Sequence, residues 1–233
     1  MSFTEALQSL RQAQKSSKGV SLYSRWVNRP LGRVFAAGAA TVGIGPNLVT
    51  LFSALVTVAG LALLVLAPIS LATGIGVAAL LVLGFALDSA DGQVARLTGK
   101  SSPAGEWLDH VVDAGKMVAV HAAVLIALWR DGAPQGWLAV ALGYQLVSVV
   151  FFAALTLFSL LRRGAEQAPA APPSTARAVA LLPADYGILA LAFVLWGAQP
   201  VFLVVYAALF AATAAIAAAL CAKWFRSLSN GQV

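Results

Sequence analysis

The chain has 233 residues, 60% of them hydrophobic and only 10% charged, with a mean hydropathy of +0.85 and a formal net charge of +6. Soluble domains are closer to half apolar and a quarter charged, so this composition excludes an ordinary water-soluble domain and indicates a bilayer as solvent. No stripe of interleaved aromatic and basic residues points to nucleic acid, and the one cysteine, Cys221, excludes an internal disulfide and offers no metal-ligand spacing.

Residues 1–45 are expected to form a cytoplasmic or interfacial segment. Residues 1–33 carry Arg11, Lys15, Lys18, Arg25, Arg29 and Arg33 and no continuous apolar core, which argues against a cleavable signal peptide. Within them, Val20, Leu22, Tyr23, Trp26, Val27, Leu31, Val34 and Phe35 alternate with Ser24, Arg25, Asn28, Arg29 and Arg33. That pattern over 20–35 predicts an amphipathic helix lying in the interface, with Trp26 and Tyr23 at headgroup level and a kink at Pro30.

Apolar runs then predict six spans near 47–66, 71–95, 106–129, 136–161, 184–198 and 200–222. The expected fold is all-α: a bundle of six transmembrane helices with an N-terminal amphipathic interfacial helix. One domain would cover 46–226, followed by a cytoplasmic tail over 227–233. The longer connectors are 96–105 and 162–183; the second, with Pro169, Pro172 and Pro173, reads as a loop. With six spans, both termini and these two connectors share one side. Of the 15 Lys and Arg residues, 13 fall there, Lys116 lies within the third span and only Arg130 falls on the other side, which makes that side cytoplasmic in a multi-pass protein of the cell membrane.

The acidic residues are concentrated. Of the nine Asp and Glu residues, Asp88, Asp91, Glu106, Asp109 and Asp113 lie between positions 88 and 113, against apolar runs. A charge at membrane depth costs about 2.5–3.5 kcal/mol on insertion scales, so it is seldom kept without a partner or a task. Asp88 and Asp91 are three apart and Asp109 and Asp113 four apart, so each pair shares a helix face. Two such faces brought together place four carboxylates at one point, where they repel unless a divalent cation, or two, stands between them. Oxygen-only ligands favour Mg2+ or Mn2+ over Zn2+. His110 points about 100° away from Asp109 on a helix. Gly92, Ala95 and Gly105 let backbones approach and leave room for a flat ligand. Arg96 ends the second span where it could meet a phosphate or an aspartate.

These residues fall in a known register. Asp88-Ser89-Ala90-Asp91-Gly92-Gln93-Val94-Ala95-Arg96, followed by Gly105, Asp109 and Asp113, resembles the signature of the CDP-alcohol phosphotransferases, D-x-x-D-G-x-x-A-R then G-x-x-x-D-x-x-x-D, with every defining position filled. Pro46-Asn47-Leu48-Val49-Thr50 resembles the P-N-x-x-T segment that opens the first span in many members. The resemblance implies a homodimer with a cytoplasm-facing site in each protomer. It makes Asp88, Asp91, Asp109 and Asp113 binders of one or two metal ions and Asp113 the general base. It puts Asp88, Gly92, Ala95, Arg96, Gly105, Asn47 and Thr50 around the nucleotide.

The implied reaction is metal-dependent transfer of a phospho-alcohol group from a CDP-alcohol to an acceptor hydroxyl, with release of CMP, in phospholipid biosynthesis. The donor could be CDP-diacylglycerol or a soluble CDP-alcohol. Lys116, Arg162, Arg163 and Arg177 are candidates for holding an anionic acceptor, beside the plainer reading of headgroup contact and snorkelling. Asp185 reads as a helix cap and His121 as a hydrogen-bonded packing residue. A divalent-cation transporter is the rival from another class. It would need carboxylates at the midplane open to both sides, whereas these sit at the cytoplasmic ends of two spans.

Overall fold

The computed structural model describes residues 1–12, 19–162 and 174–230, and among them the chain is helical with no strand. Arg163 and the last residues of the expected tail lie outside the described residues. The first helix, α1 (Phe3–Gln12), lies in a segment whose only expected helix was 20–35. Its start is a capping box: the Ser2 N–H donates to Glu5 Oε2 at 2.8 Å, and the Glu5 N–H donates to Ser2 Oγ at 3.3 Å. Ala6 and Leu10, four apart, are its buried face and pack with Ala36, Ala37, Val49, Ala90 and Val94.

A π-helical turn, Ser24–Asn28, runs directly into α2 (Arg29–Thr41). A kink is expected at Pro30; the helical run continues through it, with a change from π to α bonding just before Pro30. Pro30 then stands in the first turn of α2, where it has no N–H to give to the π turn before it. One face of α2 lies on α4 (Leu71–Thr98): a Cβ on Gly32 would come 2.8 Å from Ser89 Oγ, and Gln93 Nε2 donates to Arg29 O at 3.3 Å. Away from that contact Trp26 is 70% exposed, and Val27, Leu31 and Val34 are exposed with it.

Five helices are long and apolar enough to cross a membrane among the described residues: α3 (Pro46–Leu66), α4, α5 (Pro103–Arg130), α6 (Gln135–Leu161) and α9 (Gln199–Ser229). Their starts and most of their ends fall close to the expected runs. The connector expected over 96–105 shrinks to residues 99–102. Gly99 closes α4 at φ 66°, with the Lys100 N–H on Ala95 O at 2.9 Å, and Ser102 caps α5 by accepting from the Gly105 N–H at 3.1 Å. The last span, expected to end near 222, continues to Ser229 and takes in the start of the expected tail.

The span expected over 184–198 is different. After α7 (Thr175–Ala180) and a 3-10 turn (Leu182–Ala184), α8 (Tyr186–Ala192) passes into a second 3-10 turn, Phe193–Gly197. This unit is too short to count with the five. It runs antiparallel along α4, with the Tyr186 ring 5.2 Å from Phe85 at one end and Gly197 so close to the Leu71 backbone that a Cβ would be 2.3 Å from its N. From Leu71 to Phe85 an α-helix rises about 21 Å, against a hydrocarbon core of about 30 Å. Its start is fixed by Asp185, which caps α8 through the Gly187 N–H at 2.7 Å and accepts hydrogen bonds from Ser21 and Ser24.

The larger core cluster joins α3, α4, α5, α6, α8 and α9 around Leu64, Leu81, Val124, Phe193, Trp196 and Phe202, all fully buried. The smaller cluster of α1–α4 sits at the other end of the bundle. Close approach of α3 and α4 depends on Gly84, where a Cβ would come 2.4 Å from Thr57 Oγ1. Arg130 does not float at the end of α5: its guanidinium caps α3 by donating to Val65 O and, at 2.8 Å, to Ala67 O.

Candidate metal and nucleotide site

The site is built where the ends of α3, α4 and α5 meet. Helical spacing brings Asp88 and Asp91 to one face of α4, and the tight cap at 99–102 turns the chain back so that Asp109 on α5 faces them. One ligand oxygen from each of Asp88, Asp91 and Asp109 lies within 4.8 Å of the others. Asp91 is held from both sides: Thr50 Oγ1 on α3 donates to Oδ2 at 2.6 Å, and the Gly92 N–H donates to Oδ1 at 2.5 Å. Thr50 therefore acts through Asp91. A hard-oxygen set at this separation fits a divalent cation of the Mg2+ or Mn2+ kind.

The fourth aspartate is not one of these three but touches the group at Asp88. Asp113 faces Lys116, whose Nζ donates to Asp113 Oδ1 at 3.4 Å, to Asp88 Oδ1 and to Ser53 Oγ at 2.9 Å. Ser53 in turn donates its proton to Gly84 O at 2.8 Å. The sequence places all four carboxylates at one point. The structure groups three, because a buried ammonium from the next turn of α5 engages the fourth and shares Asp88.

Beside the three carboxylates lies a cavity of about 480 Å3. Asn47, Thr50, Asp91, Gly92, Ala95, Arg96, Gly105 and Asp109 all line it; Asp88, Asp113 and Lys116 do not. The small residues are the floor: a Cβ on Gly105 would come 3.0 Å from Asn47 Oδ1, and one on Gly92 3.4 Å from an Arg96 guanidinium nitrogen. Arg96 Nε is buried with no hydrogen-bond partner among the described residues. Burial, together with the nearby charges of Arg96 and Arg25, pushes the Arg29 guanidinium below its ordinary pKa.

Lys100, Ser101, Ser102 and Pro103, which sequence reasoning did not single out, complete the lining with Pro46, Glu106 and His110. Their signal is position, since they join the two halves of the aspartate pattern. His110 Nε2 lies 3.7 Å from Glu106 Oε1 rather than among the aspartates. Arg162 is exposed, with its guanidinium 5.5 Å from the Phe158 ring, and Arg177 is exposed on α7; neither lines the cavity. Asp185 is a cap, as expected, and burial with that facing carboxylate pushes the Tyr23 phenol above its ordinary pKa. His121 is hydrogen-bonded on both ring nitrogens, to Tyr206 Oη at 2.6 Å and Ser148 Oγ at 3.0 Å.

The family model for CDP-alcohol phosphatidyltransferases matches residues 44–224. No curated protein matches the chain.

Proposed function

The chain belongs to the CDP-alcohol phosphatidyltransferase family, and from that premise we propose that it moves a phosphatidyl group from CDP-diacylglycerol to an acceptor hydroxyl with release of CMP. As a family member it is a membrane transferase acting on a CDP-alcohol donor and an alcohol acceptor. The observation that carries the finer reading is the convergence of Asp88, Asp91 and Asp109 at the wall of a cavity floored by Gly92, Ala95 and Gly105. The donor's cytidine and ribose would lie on that floor, with Asn47 and Arg96 at its edges and Thr50 keeping Asp91 turned toward the metal.

Asp88, Asp91 and Asp109 would hold Mg2+ or Mn2+, which supplies charge neutralisation on the donor diphosphate as CMP leaves. Asp113 accepts the proton of the acceptor hydroxyl as its oxygen attacks the phosphorus bonded to the lipid alcohol. The new O–P bond forms as the bond to CMP breaks, so no residue need carry the phosphoryl group. Lys116 belongs to the aspartates in this reading. An anionic acceptor would be met by Arg96 and the basic face of α2 before Arg162, Arg163 or Arg177.

In the same reading residues 46–226 are one catalytic domain, α8 with its 3-10 turns is the sixth span, and the exposed apolar residues of α2 rest in the cytoplasmic interface of the cell membrane. The protomers pair as homodimers. Basic residues at the site end of the bundle, with Arg130 alone at the other, support this orientation.

The test is CMP release by detergent-purified protein given CDP-diacylglycerol, Mg2+ or Mn2+, and a panel of labelled acceptors such as glycerol 3-phosphate, inositol phosphate and serine. Release with at least one acceptor, stopped by chelator and restored by metal, is the expected result. Turnover with soluble CDP-alcohols alone would move the donor assignment. Undiminished turnover in excess chelator would remove the metal.

A further inference from the structure

Resting on the transfer reading above, we propose that the Tyr186 phenol holds the acceptor alcohol: its Oη donates to the oxygen of the attacking hydroxyl while Asp113 takes that hydroxyl's proton. Tyr186 opens α8 with its ring 5.2 Å from Phe85, one turn of α4 before Asp88. Asp88 and Asp113 are the charges that act on its hydroxyl. Yet Oη is buried with no hydrogen-bond partner among the described residues. A buried hydroxyl left unanswered costs stability. A phenylalanine would pack on Phe85 equally well and leave nothing unanswered, so the fold alone has no use for this group.

The phenol is held by the chain around it rather than by the aspartates. Asp185 caps α8 and accepts from Ser21 and Ser24, and a Cβ on Gly187 would strike the Tyr23 ring. The first turn of α8 is thus fixed on both sides of Tyr186, whichever way the carboxylates turn when an ion is bound.

Tyr186 also stands on the side the reaction needs. In an in-line displacement the attacking oxygen arrives opposite the leaving one. The nucleotide cavity is lined by Asp91 and Asp109 but not by Asp88, Asp113 or Tyr186. The Asp113 side chain nevertheless stays 24% exposed, so its carboxylate is reached from elsewhere than that cavity. On α4, Phe85, Ser89 and Gln93 follow one another at four-residue spacing along one face. Tyr186 meets the first, and Gly32 and Arg29 of α2 meet the other two. In the step itself the proton of the acceptor hydroxyl passes to Asp113, its oxygen bonds to the phosphorus on the lipid side of the diphosphate, and the bond to CMP breaks. The phenol keeps its own proton. Being neutral, it adds no charge beside the carboxylates, and its O–H meets the negative charge that gathers on the attacking oxygen.

The test compares the wild-type chain with Tyr186→Phe, both full length and detergent-purified, with CDP-diacylglycerol, Mn2+ and each of glycerol 3-phosphate, inositol phosphate and serine in turn. The readings are kcat/KM for the acceptor, the affinity for CDP and the melting temperature. A fall of about 10-fold or more in kcat/KM for the active acceptor is expected. CDP affinity should be unchanged and the melting temperature equal or higher, since the lost hydroxyl answered nothing in the fold. Unchanged acceptor kinetics in the variant would overturn the inference while leaving the transfer reading intact. So would a matching loss of CDP affinity, which would assign the hydroxyl to the donor, or a lowered melting temperature, which would make it a packing group. A wild-type chain that releases no CMP with any of the three acceptors would remove the transfer reading and this inference with it.

Discussion

Helix α5 carries two buried polar clusters little more than a turn apart, and they are built on opposite rules. Around His121 every group is answered within the chain. Its ring nitrogens meet Tyr206 and Ser148, its ring lies 4.2 Å from Tyr144, and Tyr144 Oη reaches Thr213 Oγ1 at 3.4 Å. Thr213 then donates to Pro183 O at 3.1 Å, tying α9 to the turn before α8. Around Asp113 and Lys116 negative charge predominates: Asp88 and Asp113 share one ammonium, and Asp91 is met by the Thr50 hydroxyl and the Gly92 N–H. Buried polarity that satisfies itself fixes the packing of helices. Buried charge left over is a demand for something from outside.

The contrast predicts which substitutions cost activity and which cost stability. The largest effect is expected from Asp113→Asn, which keeps shape and removes the base: CMP release should fall by about 10^2–10^4-fold while titrated CDP-donor binding is largely kept. Full turnover in that variant would end the role of Asp113. Thr50→Val removes only the hydroxyl that orients Asp91. A loss of about 10–100-fold in Mn2+ affinity is expected, with the melting temperature little moved. On the closed side, His121→Phe leaves Tyr206 and Ser148 unanswered at a cost of about 1–3 kcal/mol. It should lower the melting temperature in detergent and leave kcat at permissive temperature unchanged; a lost kcat would erase the distinction between the clusters. The smallest effect is expected from Ser2→Ala, at about 1 kcal/mol of helix capping, seen as faster amide exchange in α1 with turnover unaffected.

Hydropathy made the long helices readable because a membrane span needs length and apolar composition before it needs partners. Asp88, Asp91, Gly92, Ala95, Arg96, Gly105 and Asp109 were readable for a different reason: two chemically distinctive helix turns sit close together in the chain. What escaped depended on neighbours distant in sequence. Helix α1 buries only Ala6 and Leu10, too little for a pattern, although the pairing of Ser2 with Glu5 was a signal that could have been used. The shortness of α8 is set by its Asp185 cap with Ser21 and Ser24, and by the 3-10 turns around it. Lys116 sits three residues after Asp113, which hinted at that pair. Its attachment to Asp88 and Ser53 belongs to two other helices and could not be read from spacing. The same separation explains why Asp109 and Asp113, on one helix face, serve different partners.

Residues 99–102 are all that separate α4 from α5. The two helices are therefore a hairpin, and the carboxylates meet through contacts nearly as local as a helical protein allows. Synthesis delivers α3, α4 and α5 before any of α8 or α9 exists. The ion-binding oxygens and Lys116 can thus find one another during insertion, and the later helices close around a centre already made. Chemistry in this protein comes early in the order of assembly, and the His121 cluster, which needs Tyr206 and Thr213, comes last.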